Sequence, residues 1–219
     1  MGQEIDLLKN YPKTKRDTSQ RSENKTEEDR SIARKFGEEF FDGDRKHGYG
    51  GFTYNSKFWE PVVPDFINFY GLDENSKILD VGCAKGFMLY DFTRALKGAE
   101  YRGIDVSEYA IRNCLEDVKN FVTVGDVRQL PFPDNYFDLV ICINTIHNLD
   151  LIELKTGLSE INRVSKKNSF LTVDAYTNDL EKKRMYEWNL TAKTILSTSE
   201  WKKLFRECNY QGDYFWFIP

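Results

Sequence analysis

Residues 77–87 read Lys-Ile-Leu-Asp-Val-Gly-Cys-Ala-Lys-Gly-Phe. Ile78, Leu79 and Val81 are strand formers; Gly82 and Gly86 break the run, and Phe87, Met88, Leu89, Phe92 and Leu96 then recur at helical spacing. Strand, glycine turn and helix in that order make a grip for a nucleotide-like cofactor. Glycine lets the backbone approach the ligand and take positive φ, and the helix start directs free N–H groups and a positive dipole end toward it. A dinucleotide fingerprint needs further glycines two and five residues after the first. Ala84 and Phe87 stand there, which weighs against NAD.

Working outward, a carboxylate closes each of three successive predicted strands: Asp80, then Asp105 after Tyr101-Arg102-Gly103-Ile104, then Asp126 after Phe121-Val122-Thr123-Val124-Gly125. That arrangement suits a cofactor with a ribose and a cationic group. These stretches, together with Leu130-Pro131-Phe132-Pro133-Asp134-Asn135-Tyr136-Phe137-Asp138-Leu139-Val140, resemble the class I S-adenosylmethionine-dependent methyltransferases, close to their type 11 small-molecule branch. The resemblance covers roughly residues 60 to 176, and it departs at Ala84, where that family usually has glycine.

The resemblance implies an α/β, Rossmann-like fold: a mostly parallel twisted sheet with helices on both faces. Its cofactor would be S-adenosylmethionine, held by Asp80, Gly82, Cys83, Ala84, Gly86, Asp105, Val106, Asp126, Val127 and Asn144. Asp105 would accept from the ribose hydroxyls, Asp126 from the adenine amine, and Asp80 would order the glycine loop or hold the ammonium. The alternatives are structural: Asp105 capping the helix ahead of Ser107, and Asp126 capping a turn.

Strands are expected at about 77–82, 101–106, 121–125, 138–143 and 169–174, with helices at about 86–97, 107–118, 151–164 and 199–208. Alternating strands and helices make a parallel sheet covered on both faces, with right-handed crossovers. The family usually adds a sixth strand and an antiparallel seventh. Here Asp213 to Ile218 can supply one, and Leu190 to Leu196 the other if it exists.

Three regions follow from composition: a mobile tail at 1–26, helices and an aromatic lid at 27–75, and the cofactor-binding body at 76–219 with a cap insertion at 177–197. Thr26 with Asp29 forms a capping-box pattern, and Ile32, Phe36 and Phe40 continue a helix that should end near Asp42-Gly43. The stretch His47-Gly48-Tyr49-Gly50-Gly51-Phe52-Thr53-Tyr54 can close over a ligand or pack its rings on the core. His47, Tyr49, Tyr54 and Trp59 are the substrate-contact candidates from this region.

After the fourth strand comes Asn144-Thr145-Ile146-His147-Asn148-Leu149-Asp150, where the family places residues facing the methyl group. His147, one of two histidines, is a candidate general base, and Asp174 a second that could pair with it. The alternative is a His packed under the rim and bonded to backbone. His47, His147, Asp150 and Asp174 have no ligand-like spacing, so no metal is expected.

The formal net charge of −4, with both signs interspersed, argues against a nucleic-acid partner. The four cysteines form no Cys-x-x-Cys pair, which favours reduced thiols over zinc. There is no apolar signal at the amino terminus and no apolar run of about 18 residues. These features lead to the expectation of a cytoplasmic monomer or homodimer with no membrane span. Its reaction would be methylation, at oxygen rather than nitrogen or carbon, of a small polar acceptor such as a sugar or phosphorylated precursor of a surface polysaccharide. The rivals are a protein or peptide methyltransferase and a non-catalytic cofactor-binding protein of the same fold.

Overall fold

The computed structural model describes residues 2–12 and 25–218. Five strands form the body: β1 (Lys77–Val81), β2 (Glu100–Asp105), β3 (Val122–Val124), β4 (Phe137–Ile143) and β5 (Ser165–Tyr176). They lie in the order β3-β2-β1-β4-β5, and every pairing is parallel. The order reverses between β1 and β4. In open α/β sheets that switch point, at the carboxyl ends of the strands, is where ligands bind.

Strand alternation explains why the sheet is covered twice. Leu79 and Val81 of β1, with Val140 and Cys142 of β4, pack against α7 (Leu151–Val164) and α9 (Thr198–Glu207) through Leu154, Leu158, Ile161, Trp201 and Phe205. Ile78, Leu139 and Ile141 point the other way, onto Val63 and Phe66 of α4 (Val63–Tyr70) and Met88, Leu89 and Phe92 of α5 (Phe87–Ala95). Both faces are buried, so the strands read as continuous apolar runs. The helix expected at 107–118 is instead α6 (Glu108–Arg112) followed by a 3₁₀ turn at Glu116–Val118.

The last strands differ from expectation. β6 is a two-residue piece, Leu196–Ser197, beside the far end of β5. β7 (Asp213–Phe217) pairs parallel to β5, whereas the resemblance implied an antiparallel partner. Five residues separate the end of α9 from β7, and β7 runs in the same direction as the rest of the sheet.

Residues 2–12 also correct the expectation of a tail. Glu4 bridges Tyr214 in parallel, the Ile5 N–H donates to the Tyr214 carbonyl, and Leu7 is buried in the α4–α5 core. Ile5, Leu7, Leu8 and Tyr11 supply the apolar contacts, and the segment covers the otherwise open edge of β7. The rest of that expectation, residues 13–24, lies outside the described residues.

The capping box at Thr26–Asp29 starts α1 (Glu27–Ala33). The helix expected to reach Asp42 is broken at Phe36, which takes φ 49°, and at Gly37, and resumes as the single turn α2 (Glu38–Phe41). A further turn, α3 (Ser56–Trp59), leads into α4. The 177–197 segment contains α8 (Asp179–Trp188), capped by Asn178.

Asp150 caps α7 in a capping box with Glu153, accepting from the Ile152 and Glu153 N–H groups. Asp150→Ala should therefore lower stability by about 1 kcal/mol in urea denaturation.

Candidate functional site

The carboxyl ends of β1 and β2 carry the glycine loop. Gly82, Ala84 and Gly86 all have positive φ, at 82°, 49° and 77°. A Cβ on Gly82 would stand 2.1 Å from Thr145 Oγ1. The Ala84 N–H donates to Asp105 Oδ2 at 2.8 Å, and the Ser107 N–H donates to Oδ1 at 2.8 Å. Asp105 thus ties the loop to the end of β2, and each oxygen keeps lone-pair capacity for a ribose hydroxyl. The capping alternative is corrected: Ser107, whose Oγ accepts from the Ala110 N–H, caps α6, and Asp105 braces the loop and Ser107 ahead of it.

Asp80 is buried, and that burial, with the negative charge of Asp105 behind it, pushes its carboxyl up to about 7. Burial also raises Asp105, against the two N–H donors. Among the described residues neither Asp80 nor Asp105 forms an ion pair, and each carboxyl is raised by its burial. An ammonium or sulfonium is the complement that this pocket wall fits. Cys83 is buried beside them, and burial pushes its thiol well up, so it acts as an apolar wall. Val106 is exposed at the rim.

On the adenine side, Asp126 is clasped by Arg128, whose Nε lies 2.9 Å from both carboxylate oxygens. That hydrogen-bonded ion pair holds the Asp126 carboxyl below its usual range. Arg128 also reaches Glu153 of α7. Val127 is buried against the core. Asn144, at φ 51°, closes β4: its N–H donates to the Thr172 carbonyl and its Oδ1 accepts from Thr172 Oγ1 at 2.9 Å.

The structure brings His147 and Asp174 together and encloses both. His147 Nδ1 accepts from the Asp174 N–H at 3.1 Å, and Nε2 lies 3.6 Å from Asp174 Oδ2. Burial holds the imidazole below its ordinary pKa against the pull of Asp174. A neutral ring with both nitrogens turned to Asp174 does not face an acceptor, which corrects its assignment as a general base. Asp174 is occupied in the same way, accepting from Asn189 Nδ2 of the cap. The cap is stapled on by Lys193 and Thr194 N–H groups donating to the His147 carbonyl. Lys25 and Arg30, beside and on α1, donate to the Trp188 and Asn189 carbonyls at the end of α8.

The acceptor-contact candidates scatter. His47 is buried in the lid with Nε2 3.1 Å from Asp29 and Nδ1 3.4 Å from Glu39. Lys46 lies 4.0 Å from Asp29. Tyr54 donates to Asp91 at 2.6 Å, and Trp59 packs edge-on against Tyr11. Those contacts give His47, Tyr54 and Trp59 packing roles. Tyr49 alone stays near the lid surface, with its ring against Phe40, Phe41 and Phe52. Of His47, His147, Asp150 and Asp174 only His147 and Asp174 are shown in contact, and among the described residues no group of three or more His, Cys, Asp or Glu could hold a metal.

Residues 79–173, from β1 through β5, match the family model described as a methyltransferase domain. This segment is a methyltransferase domain. The chain is 34% identical over 131 residues to sterol 24-C-methyltransferase ERG6B of Gibberella zeae, covering 52% of this chain and 33% of that protein. It is 32% identical over 89 residues to the arginine-hydroxylase NDUFAF5 of Rattus norvegicus, covering 40% of this chain and 25% of that one. It therefore spans only a quarter to a third of these curated relatives. The YcgJ protein of Bacillus subtilis shares the fold, with a TM-score of 0.54 at 20% identity over 67% of this chain and 66% of that one. The cofactor of the methyltransferase domain is S-adenosylmethionine.

Two residues of the site escaped the sequence reading. Lys85, inside the glycine loop of the methyltransferase domain, is buried, and Asp42 of the lid receives it. A lysine between two loop glycines was the available signal. Ala84 explains itself structurally: its left-handed φ is where glycine costs nothing and alanine about 1–2 kcal/mol. Ala84→Gly should raise stability by about 1 kcal/mol in denaturant titration, with cofactor binding retained.

Proposed function

We propose that this protein transfers the methyl group of S-adenosylmethionine to an oxygen of a small polar acceptor. The observation that carries this reading is the cover over the glycine loop: Lys85 binds Asp42 and the Phe52 carbonyl, and Phe52 stacks on Phe87. A covered site suits a compact acceptor better than a polypeptide laid along an open groove.

When bound, the cofactor supplies a methyl group already activated by its sulfonium. The chain's part is then to hold and orient. Asp105 accepts from the ribose hydroxyls, each such charge-assisted bond contributing about 1.5–3 kcal/mol. Asp80 balances the cofactor's cationic end. Alignment of donor and acceptor can supply about 7–11 kcal/mol of the barrier. His147, enclosed and neutral, positions the cap through Asp174 and Asn189. With no base drawn from it, an oxygen that is already ionised, such as a carboxylate, is the best acceptor atom.

Arg45, Lys46 and Arg184, on the lid and on α8, suit an anionic acceptor, including a sugar or phosphorylated precursor of a surface polysaccharide. The two curated relatives differ in the reactions they are named for, so similarity over this segment leaves the acceptor open. A cytoplasmic monomer or homodimer belongs to the same proposal. Among the described residues no helix is long and apolar enough to cross a membrane. A protein or peptide methyltransferase is the second reading.

The test is transfer of labelled methyl from S-adenosylmethionine to pools of small carboxylates, sugar nucleotides and peptides. Label in a small anionic acceptor is the expected result. Label confined to peptides would overturn the acceptor class.

A further inference from the structure

The lid, residues 37–54, is fastened to the cofactor loops at three points. At its start, Ser107 Oγ donates to the Phe36 carbonyl at 2.5 Å, and Ser107 caps α6 two residues after Asp105. At its end, Tyr54 donates to Asp91 on α5. Between them stands Lys85, whose Nζ donates to Asp42 Oδ1 at 2.9 Å, Asp42 Oδ2 at 2.7 Å and the Phe52 carbonyl at 2.9 Å.

Lys85 is a charged side chain in the wall of a cofactor loop, yet it spends all three ammonium donors on the lid. Its side chain is 8% exposed, whereas Asp42 is 29% exposed. Asp42 is anchored further by Tyr109 Oη at 2.7 Å and by the Phe52 N–H at 2.9 Å. The pair therefore joins the loop after β1, the helix after β2 and both halves of the lid. Gly50 and Gly51, at φ 70° and 101°, lie in the lid between Asp42 and Phe52, where a hinge is sterically free.

Removing Asp42 leaves the buried Lys85 ammonium without its carboxylate, which costs more than the pair's own net stabilisation, and removing Lys85 frees a half-exposed Asp42 from the loop. The other two fasteners are neutral donors to a carbonyl or carboxylate at the lid's ends. Lys85 is the one that ties the lid's middle to the loop itself.

We propose that the Lys85–Asp42 pair is the latch of the cofactor chamber: it holds the lid across the glycine loop and sets how fast the bound cofactor product leaves. This rests on the reading of the loop as the S-adenosylmethionine site. Lys85 is a positioning residue in it. Opening breaks the three Nζ bonds and swings residues 43–52 away; closing remakes them over the ligand.

The experiment uses the full chain and the variants Lys85→Met, Asp42→Asn and both together. Amide hydrogen exchange is measured without ligand, and release of S-adenosylhomocysteine by stopped flow. Each single variant should exchange at least tenfold faster across 37–54, with β1 and β4 unchanged, and should release S-adenosylhomocysteine at least tenfold faster. The double variant should be no worse than either single one, because the two residues act as one unit. Unchanged lid exchange, or faster exchange in β1 and β4 to the same extent, would overturn the latch. Wild-type protein that fails to bind S-adenosylhomocysteine would instead overturn the cofactor reading and the release function with it, leaving the exchange arm to judge the lid contact alone.

Discussion

Gly82→Ala should weaken S-adenosylhomocysteine binding by at least about thirtyfold and destabilise the protein by about 2–5 kcal/mol. Two costs add. The backbone at φ 82° is left-handed, which charges an L side chain about 1–2 kcal/mol. The new Cβ would also meet Thr145 at Oγ1 2.1 Å, Cγ2 2.5 Å and Cβ 2.7 Å. Thr145 is short and β-branched, and its hydroxyl is already donated to the Ile143 carbonyl, so it has no easy rotamer to move to. Overpacking of that kind costs about 1–3 kcal/mol. Either the loop or the end of β4 must shift, and both border the cofactor. Losing about 2 kcal/mol of cofactor contact from the displaced loop corresponds to the thirtyfold loss, at 1.4 kcal/mol per decade. Calorimetric titration and urea denaturation read the two effects. In a Thr145→Gly background the steric part should vanish and only the φ cost remain. An alanine variant that binds normally would show that the loop does not bind as described.

Asp80→Asn should act in opposite directions on the free protein and on its complex. The Asp80 carboxyl titrates at about 7 in the folded protein because it is buried beside Asp105, whereas an unfolded aspartate titrates near 4. Between those values the native state binds a proton that the unfolded state has lost. Stability therefore falls as pH rises through that window, and the loss is complete above about 7. Asparagine cannot ionise, so the variant should escape this loss and be more stable than wild type at pH 8, by an amount of order 3 kcal/mol. Below about pH 4 the two should converge. Binding inverts the sign: a cationic cofactor stabilises the ionised carboxylate, so wild-type protein should release protons on binding near pH 7, and the variant should bind at least tenfold more weakly. Titrations in buffers of different ionisation enthalpy measure that release. Equal stability of the two proteins at pH 4 and pH 8 would show that Asp80 is not a strained acid.

What was legible in the sequence was local and repetitive. The strands from 77 to 143 and the turn at Gly82–Gly86 followed from apolar runs broken by glycine, and the three carboxylates from their place at strand ends. The sequence was silent where a contact spans a long separation. Lys85 and Asp42 are 43 residues apart, and neither segment alone signals the other. His147 looked like a base because its type and position fit one. Only the fold reveals that Asp174 and the Lys193–Thr194 segment enclose it. The amino-terminal stretch read as a tail because polar residues outnumber apolar ones there. Four apolar side chains, Ile5, Leu7, Leu8 and Tyr11, were enough to dock it when β7 offered an open edge. Parallel pairing of β7 was invisible for the same reason, since strand direction depends on where the preceding helix ends in space.

Calorimetric titration with S-adenosylmethionine, S-adenosylhomocysteine and NAD, on wild-type protein and on Asp105→Ala, tests the central claim most directly. Both methionine-derived ligands should bind the wild type and NAD should not, and the substitution should remove that binding while the fold persists by circular dichroism. Binding of NAD alone, or undiminished binding of S-adenosylmethionine to the Asp105→Ala protein, would contradict the account.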